Sequence, residues 1–166
     1  VLGFDGSAVA CGFSLNGMFG SGRLDPATGG FAAAPSDPAV DAVAGVTIVL
    51  DPRTGEIRIA AAGADFGAGL ATVLAESLLA NRTTVEAIAY PRVAPDPGLD
   101  VTVVESRMDP GVSDRLALRG HTVRGSAGMG RVSIISCEGS GAGRGCVAAT
   151  DPRGHGGAVG ASGPGA

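Results

Sequence analysis

The chain has 166 residues, enough for one domain with a real hydrophobic core. Its formal charge is −4 and its twelve basic residues are all arginine, scattered without a basic stripe, so nucleic acid is not an expected partner. No apolar run approaches the roughly 20 residues that cross a bilayer, so no membrane span is expected in this chain.

In chain order, Val1–Phe4 and Ala8–Leu15 read as two strands around an Asp5-Gly6 turn, because Asp-Gly between apolar runs is a strong hairpin signal. Residues 17–45, rich in Gly, Ala, Pro and Asp, show no sustained period and form the longest irregular stretch. A second hairpin pairs Val46–Leu50 with Glu56–Ala60 across Asp51-Pro52-Arg53-Thr54-Gly55, where Pro presets φ and Gly accepts a positive one. From Gly67 to Ala80 the period changes to helical, with Leu70, Val73, Leu74, Ser77 and Leu78 on one face; so apolar a segment is expected to be buried on more than one side. Thr83-x-x-Glu86 has the form of a capping box and opens a short helix through about Ala89 that Pro91 ends.

Asp100–Glu105 alternates like a strand. Asp109 as N-cap, Pro110 in the first turn and Gly120 after the end predict a helix over 110–119. His121–Arg124, Arg131–Ser136 and Cys146–Thr150 read as three strands. The order ββ, long loop, ββ, α, α, β, α, βββ predicts an α+β fold with mainly antiparallel sheet, over residues 1–153. Residues 154–166 hold only Gly, Ala, Ser, Pro, Val and one His, and are expected to be a flexible Gly-rich tail.

Catalytic signatures within the chain are few. Ser21 lies in Gly-Ser-Gly without the G-x-S-x-G of a nucleophile elbow, and the glycine clusters match neither dinucleotide nor phosphate loops, so no nucleotide cofactor is implied. Cys11, Cys137 and Cys146 lack C-x-x-C spacing and read as buried small hydrophobes, with a Cys137–Cys146 bridge as the alternative. His121 and His155 are not at ligand spacing, so no metal site is expected. Asn81-Arg82-Thr83 has the form of a glycosylation sequon, but Thr83 is already assigned to capping. The acidic residues sit mostly at turns.

Five collinear segments carry more than these motifs do. "DGSAVACGFSLNGMFGSG" resembles the opening of the γ-glutamyltransferase small subunit, D-G-N-A-V-x-x-T-x-T-L-N-x-x-F-G-S/T-G. "VTIVLDPRTGEIRI" is similar to the family's T-I-V hairpin, and "ATVLAESLLANRTTVEAIAYPRV" to its buried helix followed by E-A-x-x-A-P-R-F. "LALRGHTVR" resembles L-x-x-x-G-H-x-V, and "ATDPRGHGGAVG" the closing A-S-D-P-R-x-x-G-x-A. The resemblance covers about residues 1–160.

What it implies is half of the αββα sandwich of an N-terminal-nucleophile hydrolase, with the large subunit of the same precursor as partner. A γ-glutamyl or related amide would be the substrate, and no cofactor is implied. In that family a Thr freed by autocleavage attacks the amide, with its own α-amine as base. On this alignment the Thr would lie five residues upstream of Val1. Ser14 takes the place of a Thr that orients the nucleophile, and Asn16 matches the Asn that contacts the glutamyl head group. The family's glutamine and aspartate fall near Phe31–Pro35, its serine pair at Ala42 and Val43, and its oxyanion glycines at Asp65 and Phe66. The expected function is amide hydrolysis or acyl transfer through a covalent Thr ester. The alternative is a non-catalytic relative that keeps the fold as a binding or scaffold protein. The sequence leaves the compartment open, periplasmic, secreted or cytoplasmic.

Overall fold

The computed structural model describes residues 1–3, 5–17, 19–35, 45–64, 69–96, 98–141 and 144–160. In chain order its elements are β1 (Gly45–Leu50), β2 (Ile57–Ala64), α1 (Ala71–Leu78), α2 (Thr84–Ala89), β3 (Val93–Pro95), β4 (Thr102–Glu105), α3 (Pro110–Leu118), β5 (Val123–Ser126), β6 (Arg131–Glu138) and β7 (Gly145–Thr150). They build an antiparallel four-stranded sheet of order β1-β2-β6-β7 and a smaller sheet of order β3-β4-β5. Among the described residues only β4 and β5 pair in parallel, and α3 makes the connection between them. The fold is therefore α+β and mainly antiparallel.

Local chemistry sets these elements. The Asp51 carboxylate accepts the N–H groups of Arg53 and Thr54 at 2.8 and 3.3 Å, and Gly55 takes φ +71°, so β1 must turn into β2 at that point. Thr83 and Glu86 close a reciprocal capping box on α2, with the Glu86 carboxylate accepting the Thr83 N–H at 3.0 Å. Asp109 caps α3 through the Gly111 N–H at 2.7 Å, and Gly120 at φ +89° lets the chain leave it. The core lies on one face of the larger sheet, where Ile59, Ala61, Val132 and Ile134 meet Leu70, Val73, Ala87 and Ile88 of the helical layer.

Three expectations need correction. The first hairpin is confined to Val1–Val9: Leu2 bridges Ala8, and no ladder continues through Leu15 among the described residues. Beyond Val9 the segment has strand-like composition but, among the described residues, no strand to pair with, and Phe13 is 94% exposed. The apolar helix is buried on one side only. Leu70, Val73 and Leu74 pack inward, while Ala71, Ala75 and Leu78 face out, since the sheet lies on one side of it. The arginines, read as scattered, are in part gathered: Arg92 and Arg153 meet in the interior.

That meeting ties the two sheets together. Arg92 is 0% exposed and donates to Asp151 and the Met129 carbonyl, both at 2.5 Å. Arg153 forks onto both oxygens of Glu105 at 2.6 and 2.5 Å and reaches the Ile88 and Tyr90 carbonyls at the end of α2. Glu105 in turn accepts the backbone N–H groups of Arg92 and Met129, and Asp151 accepts that of Val132. Burial works to raise both carboxyls, but the hydrogen bonds from Arg153 and Met129 on Glu105, and from Arg153 and Arg92 on Asp151, outweigh it. Both stay below the usual carboxylate range and ionised.

Where β2 ends, glycines let three segments touch. A Cβ on Gly130 would lie 3.0 Å from the Ala64 carbonyl oxygen and 3.2 Å from Gly69, and Gly130 itself has φ +60°. A Cβ on Gly63 would stand 2.9 Å from the Arg131 oxygen. The end of β2, the entry to α1 and the start of β6 are thus in backbone contact beside Arg92.

Two outcomes are expected for the protein in urea unfolding. Gly130→Ala is expected to cost about 1–3 kcal/mol, because it adds both a positive-φ strain and a backbone clash. Arg92→Ala should cost about 3–5 kcal/mol by leaving Asp151 buried without its partner. The acid limb carries a sign as well. Depressed carboxyls contribute stability above their unfolded values near pH 4 and lose it as pH falls through the folded ones, so Asp151→Asn should flatten the loss of stability below about pH 4.

Candidate functional site

Asn16 sits in a left-handed conformation, φ +53°, at the point where the N-terminal segment turns back. Asparagine tolerates that backbone better than most residues. Its N–H donates to the Ser14 hydroxyl at 3.0 Å, and its side-chain Nδ2 donates to the Ala34 carbonyl at 3.0 Å. The Ala34 N–H answers with a 2.9 Å bond to the Leu15 carbonyl. Ser14 and Asn16 are therefore joined by a local turn rather than by the period-two spacing of a strand.

The glycines after Asn16 have a steric reason. Gly20 takes φ +56°, and a Cβ there would lie 2.1 Å from the Ala32 carbonyl oxygen, so no other residue fits without moving the backbone. Ser21 donates to the same carbonyl through N–H at 2.9 Å and through its hydroxyl at 3.2 Å. Beyond it, Arg23–Leu24 returns as Phe31–Ala32 through a turn that Asp25 organises, with Phe19 and Phe31 packed at 5.8 Å between ring centroids. The stretch Phe31–Pro35 is thus brought against Ser14–Asn16. It supplies backbone carbonyls and small or apolar side chains and no charge. Ala42, Val43, Asp65 and Phe66 lie outside the described residues.

Acids near this segment are committed to turns. The Ser7 hydroxyl and N–H hold the Asp5 carboxyl below its usual range, and the Ala27 N–H and Thr28 hydroxyl do the same for Asp25. Both remain ionised, and neither is placed to exchange a proton at neutral pH. The buried arginine cluster turns most of its hydrogen bonds on itself: Arg153 spends donors on Glu105, Asp151 and two carbonyls, and of Arg92 only Nε is without a partner among the described residues. It is architectural rather than a site. Among the described residues no three His, Cys, Asp or Glu side chains converge as a metal would require, and no helix is long and apolar enough to cross a membrane.

The second feature is the face of the larger sheet that the helices leave uncovered. Val46, Ile48 and Leu50 on β1 are 53, 45 and 53% exposed, and Ala60, Ala62 and Ile135 continue the apolar surface across β2 and β6. The Val1–Val9 hairpin stands over this face and encloses a cleft of about 1300 Å³. Cys137 and Cys146 prove to be a disulfide, directly opposite each other in the β6–β7 register, while Cys11 is free and exposed at the same cleft. The expectation of buried thiols fails for Cys11 and for the pair.

Sequence reasoning missed the convergence of Arg92, Glu105, Asp151 and Arg153, although the dipeptides Pro91-Arg92 and Pro152-Arg153 were in the segments that carried the resemblance.

Comparison with known proteins gives these features a setting. The family model described as Gamma-glutamyltranspeptidase matches residues 47–161. Comparison with curated proteins returns no match. Among solved structures, a gamma-glutamyltranspeptidase mutant of Helicobacter pylori has a TM-score of 0.75 at 20% identity, over 93% of this chain and 97% of that one. A gamma-glutamyltranspeptidase from Pseudomonas nitroreducens, complexed with L-DON, gives 0.70 at 19% identity over 98% and 97%. The transpeptidase enzyme CapD of Bacillus anthracis gives 0.65 at 16% over 92% of each chain. At such identities the structures speak for a shared fold, and the family match, spanning well over half the sequence, speaks for descent: the chain belongs to the gamma-glutamyltranspeptidase family.

Proposed function

We propose that this chain is the nucleophile-steadying half of a γ-glutamyltransferase-like enzyme that hydrolyses or transfers an acyl group from an amide through a covalent Thr ester. The observation that carries the reading is the Ser14–Asn16 turn, fixed against Ala34, within a chain of this family. The nucleophile would be a Thr five residues upstream of Val1. Its hydroxyl oxygen attacks the amide carbonyl, its own α-amine takes the proton, and the amine of the substrate leaves protonated. Water or an acceptor amine then cleaves the ester. Ser14 keeps a hydroxyl with which to orient the Thr, and Asn16 keeps an amide with which to contact the acyl group.

The partner is the large subunit of the same precursor. Its place is the uncovered face, where Val46, Ile48 and Leu50 present contiguous apolar surface. No cofactor enters the chemistry. Because Phe31–Pro35 offers no charged side chain, the grip on a glutamyl α-carbon is weak here, and a related amide with less charge at that carbon suits the segment better.

A second reading, a non-catalytic scaffold, is favoured by the same apolar stretch, which offers a substrate no charged side chain. The two readings separate on the full-length protein. Under the enzyme reading it splits into two bands on a denaturing gel and releases p-nitroaniline from γ-glutamyl p-nitroanilide or a related anilide. Replacing the upstream Thr by Ala abolishes both. An intact precursor that turns over none of these substrates sinks the enzyme reading. Asn16→Gly keeps the left-handed backbone and removes only the amide, so it should lower kcat/KM roughly 10- to 100-fold, as expected for one lost polar contact. Expressed alone, residues 1–166 should aggregate through the bare face, and a monodisperse monomer that melts cooperatively would contradict the assignment of a partner there.

A further inference from the structure

We infer that Arg144 is a positioning residue for the reaction above: its guanidinium pins the turn of the Val1–Val9 hairpin to β2, and so sets where the chain upstream of Val1 presents its nucleophile. The catalytic consequence rests on the reading of an upstream Thr; the anchoring does not.

The hairpin is held together by its own bonds: the Gly3 N–H donates to the Ser7 carbonyl at 2.8 Å, that of Gly6 to the Gly3 carbonyl at 3.1 Å and that of Val9 to the Val1 carbonyl at 2.9 Å. Among the described residues none of its hydrogen bonds reaches the sheet over which it stands. Arg144 supplies the polar contact that is missing. Its Nη2 donates to the Ile57 carbonyl at the start of β2, and its Nη1 lies against the turn, 3.8 Å from where a Cβ on Gly6 would stand. Gly6 has φ +83° and no side chain, so the guanidinium meets backbone there. Asp5, next in the chain and lining the same cleft, is kept ionised by the Ser7 hydroxyl and N–H, so the turn carries a charge that a cation answers.

Arg144 is itself held in place. Its N–H donates to the Gly141 carbonyl at 3.2 Å, and the Gly141 N–H donates to the Glu56 carboxylate at 3.3 Å. Two residues on, Cys146 is bridged to Cys137 in the β6–β7 register. A guanidinium presents its donors in a rigid planar fork, so one side chain holds two backbones at once where an ammonium holds one point. The turn and the open end of a hairpin move together, and the Thr would sit five residues beyond the open end, within about 18 Å of extended chain. Ser14 and Asn16 are fixed separately, through Ala34. A hairpin that swings at its turn therefore misaligns the Thr with the Ser14 hydroxyl without touching the substrate. Misplacement by about 1 Å can cost about 100-fold in rate.

Two measurements on the full-length protein test this. In amide hydrogen exchange read by mass spectrometry, Arg144→Ala should speed exchange of the Val1–Val9 segment several-fold and leave β2 and β6 protected as in the parent. In turnover of the anilide, the same variant should lower kcat roughly 10- to 100-fold with KM within about twofold and the shape of the pH profile kept, since the Thr is displaced while the substrate contacts are not. Arg144→Lys, which reaches the Ile57 carbonyl alone, should keep the parent's melting temperature without restoring hairpin protection or kcat. Unchanged hairpin protection in Arg144→Ala overturns the anchoring, and lost protection with kcat unchanged overturns the positioning role. Full restoration of both by Arg144→Lys overturns the two-point contact. A parent that neither splits nor turns over the anilide sinks the enzyme reading instead, and the exchange measurement then decides the anchoring by itself.

Discussion

The fold depends on four charges placed where water is excluded. Isolated, any of Arg92, Glu105, Asp151 or Arg153 would be costly to bury, since the interior penalises an unpaired ion by several kcal/mol. Together they are neutral, and each is bonded to a different part of the chain. Asp151, just past β7, takes a backbone N–H at β6; Glu105, at the end of β4, takes that of Met129 ahead of β6. Arg153 satisfies carbonyls at the C-terminus of α2, where a cation also suits the helix dipole. A helix of six residues has little stability of its own, and this anchoring supplies what its length does not.

The same arrangement explains the small side chains around it. Gly63, Gly69 and Gly130 let the end of β2, the entry to α1 and the start of β6 come within backbone contact beside the Arg92 guanidinium. Ala60, Ala61 and Ala62 keep β2 thin on both faces. A sheet so built can be covered closely on one side by two short helices and still offer an apolar surface on the other. The exposed Val46, Ile48 and Leu50 are therefore not a defect of a small core. They continue the apolar surface over which the Val1–Val9 hairpin stands.

What the sequence made legible was local. The Asp51–Gly55 turn, the Thr83–Glu86 box and the Asp109, Pro110 and Gly120 signals all specify structure through bonds spanning a few residues, and all form as read. The strand from Ala8 to Leu15 was misread because a strand requires a neighbour, which composition does not report. β3 was missed because three residues ending in proline give no period. The arginine cluster was invisible for a third reason. Arg92 and Asp151 are 59 residues apart, and only the approach of β7 to α2 brings them together. Of the candidate site, Ser14 and Asn16 rest on the resemblance alone, and the Ala34 carbonyl that holds Asn16 comes from a stretch without chemical character of its own.

Asparagine at the end of an apolar run has a plain explanation, that it stops a strand and tolerates the turn. The structure gives that explanation its full weight: φ is positive, the N–H bonds to Ser14, and Nδ2 is spent on Ala34. These bonds do not compete with a role in binding. A side chain pinned at one end has lost most of its rotamer freedom before any ligand arrives, so contact through its remaining oxygen lone pairs carries a smaller entropy cost than contact from a free side chain. Gly20, which only glycine can occupy against the Ala32 carbonyl, fixes the same loop from the other side. The constraint that terminates the segment is thus also the constraint that would aim it.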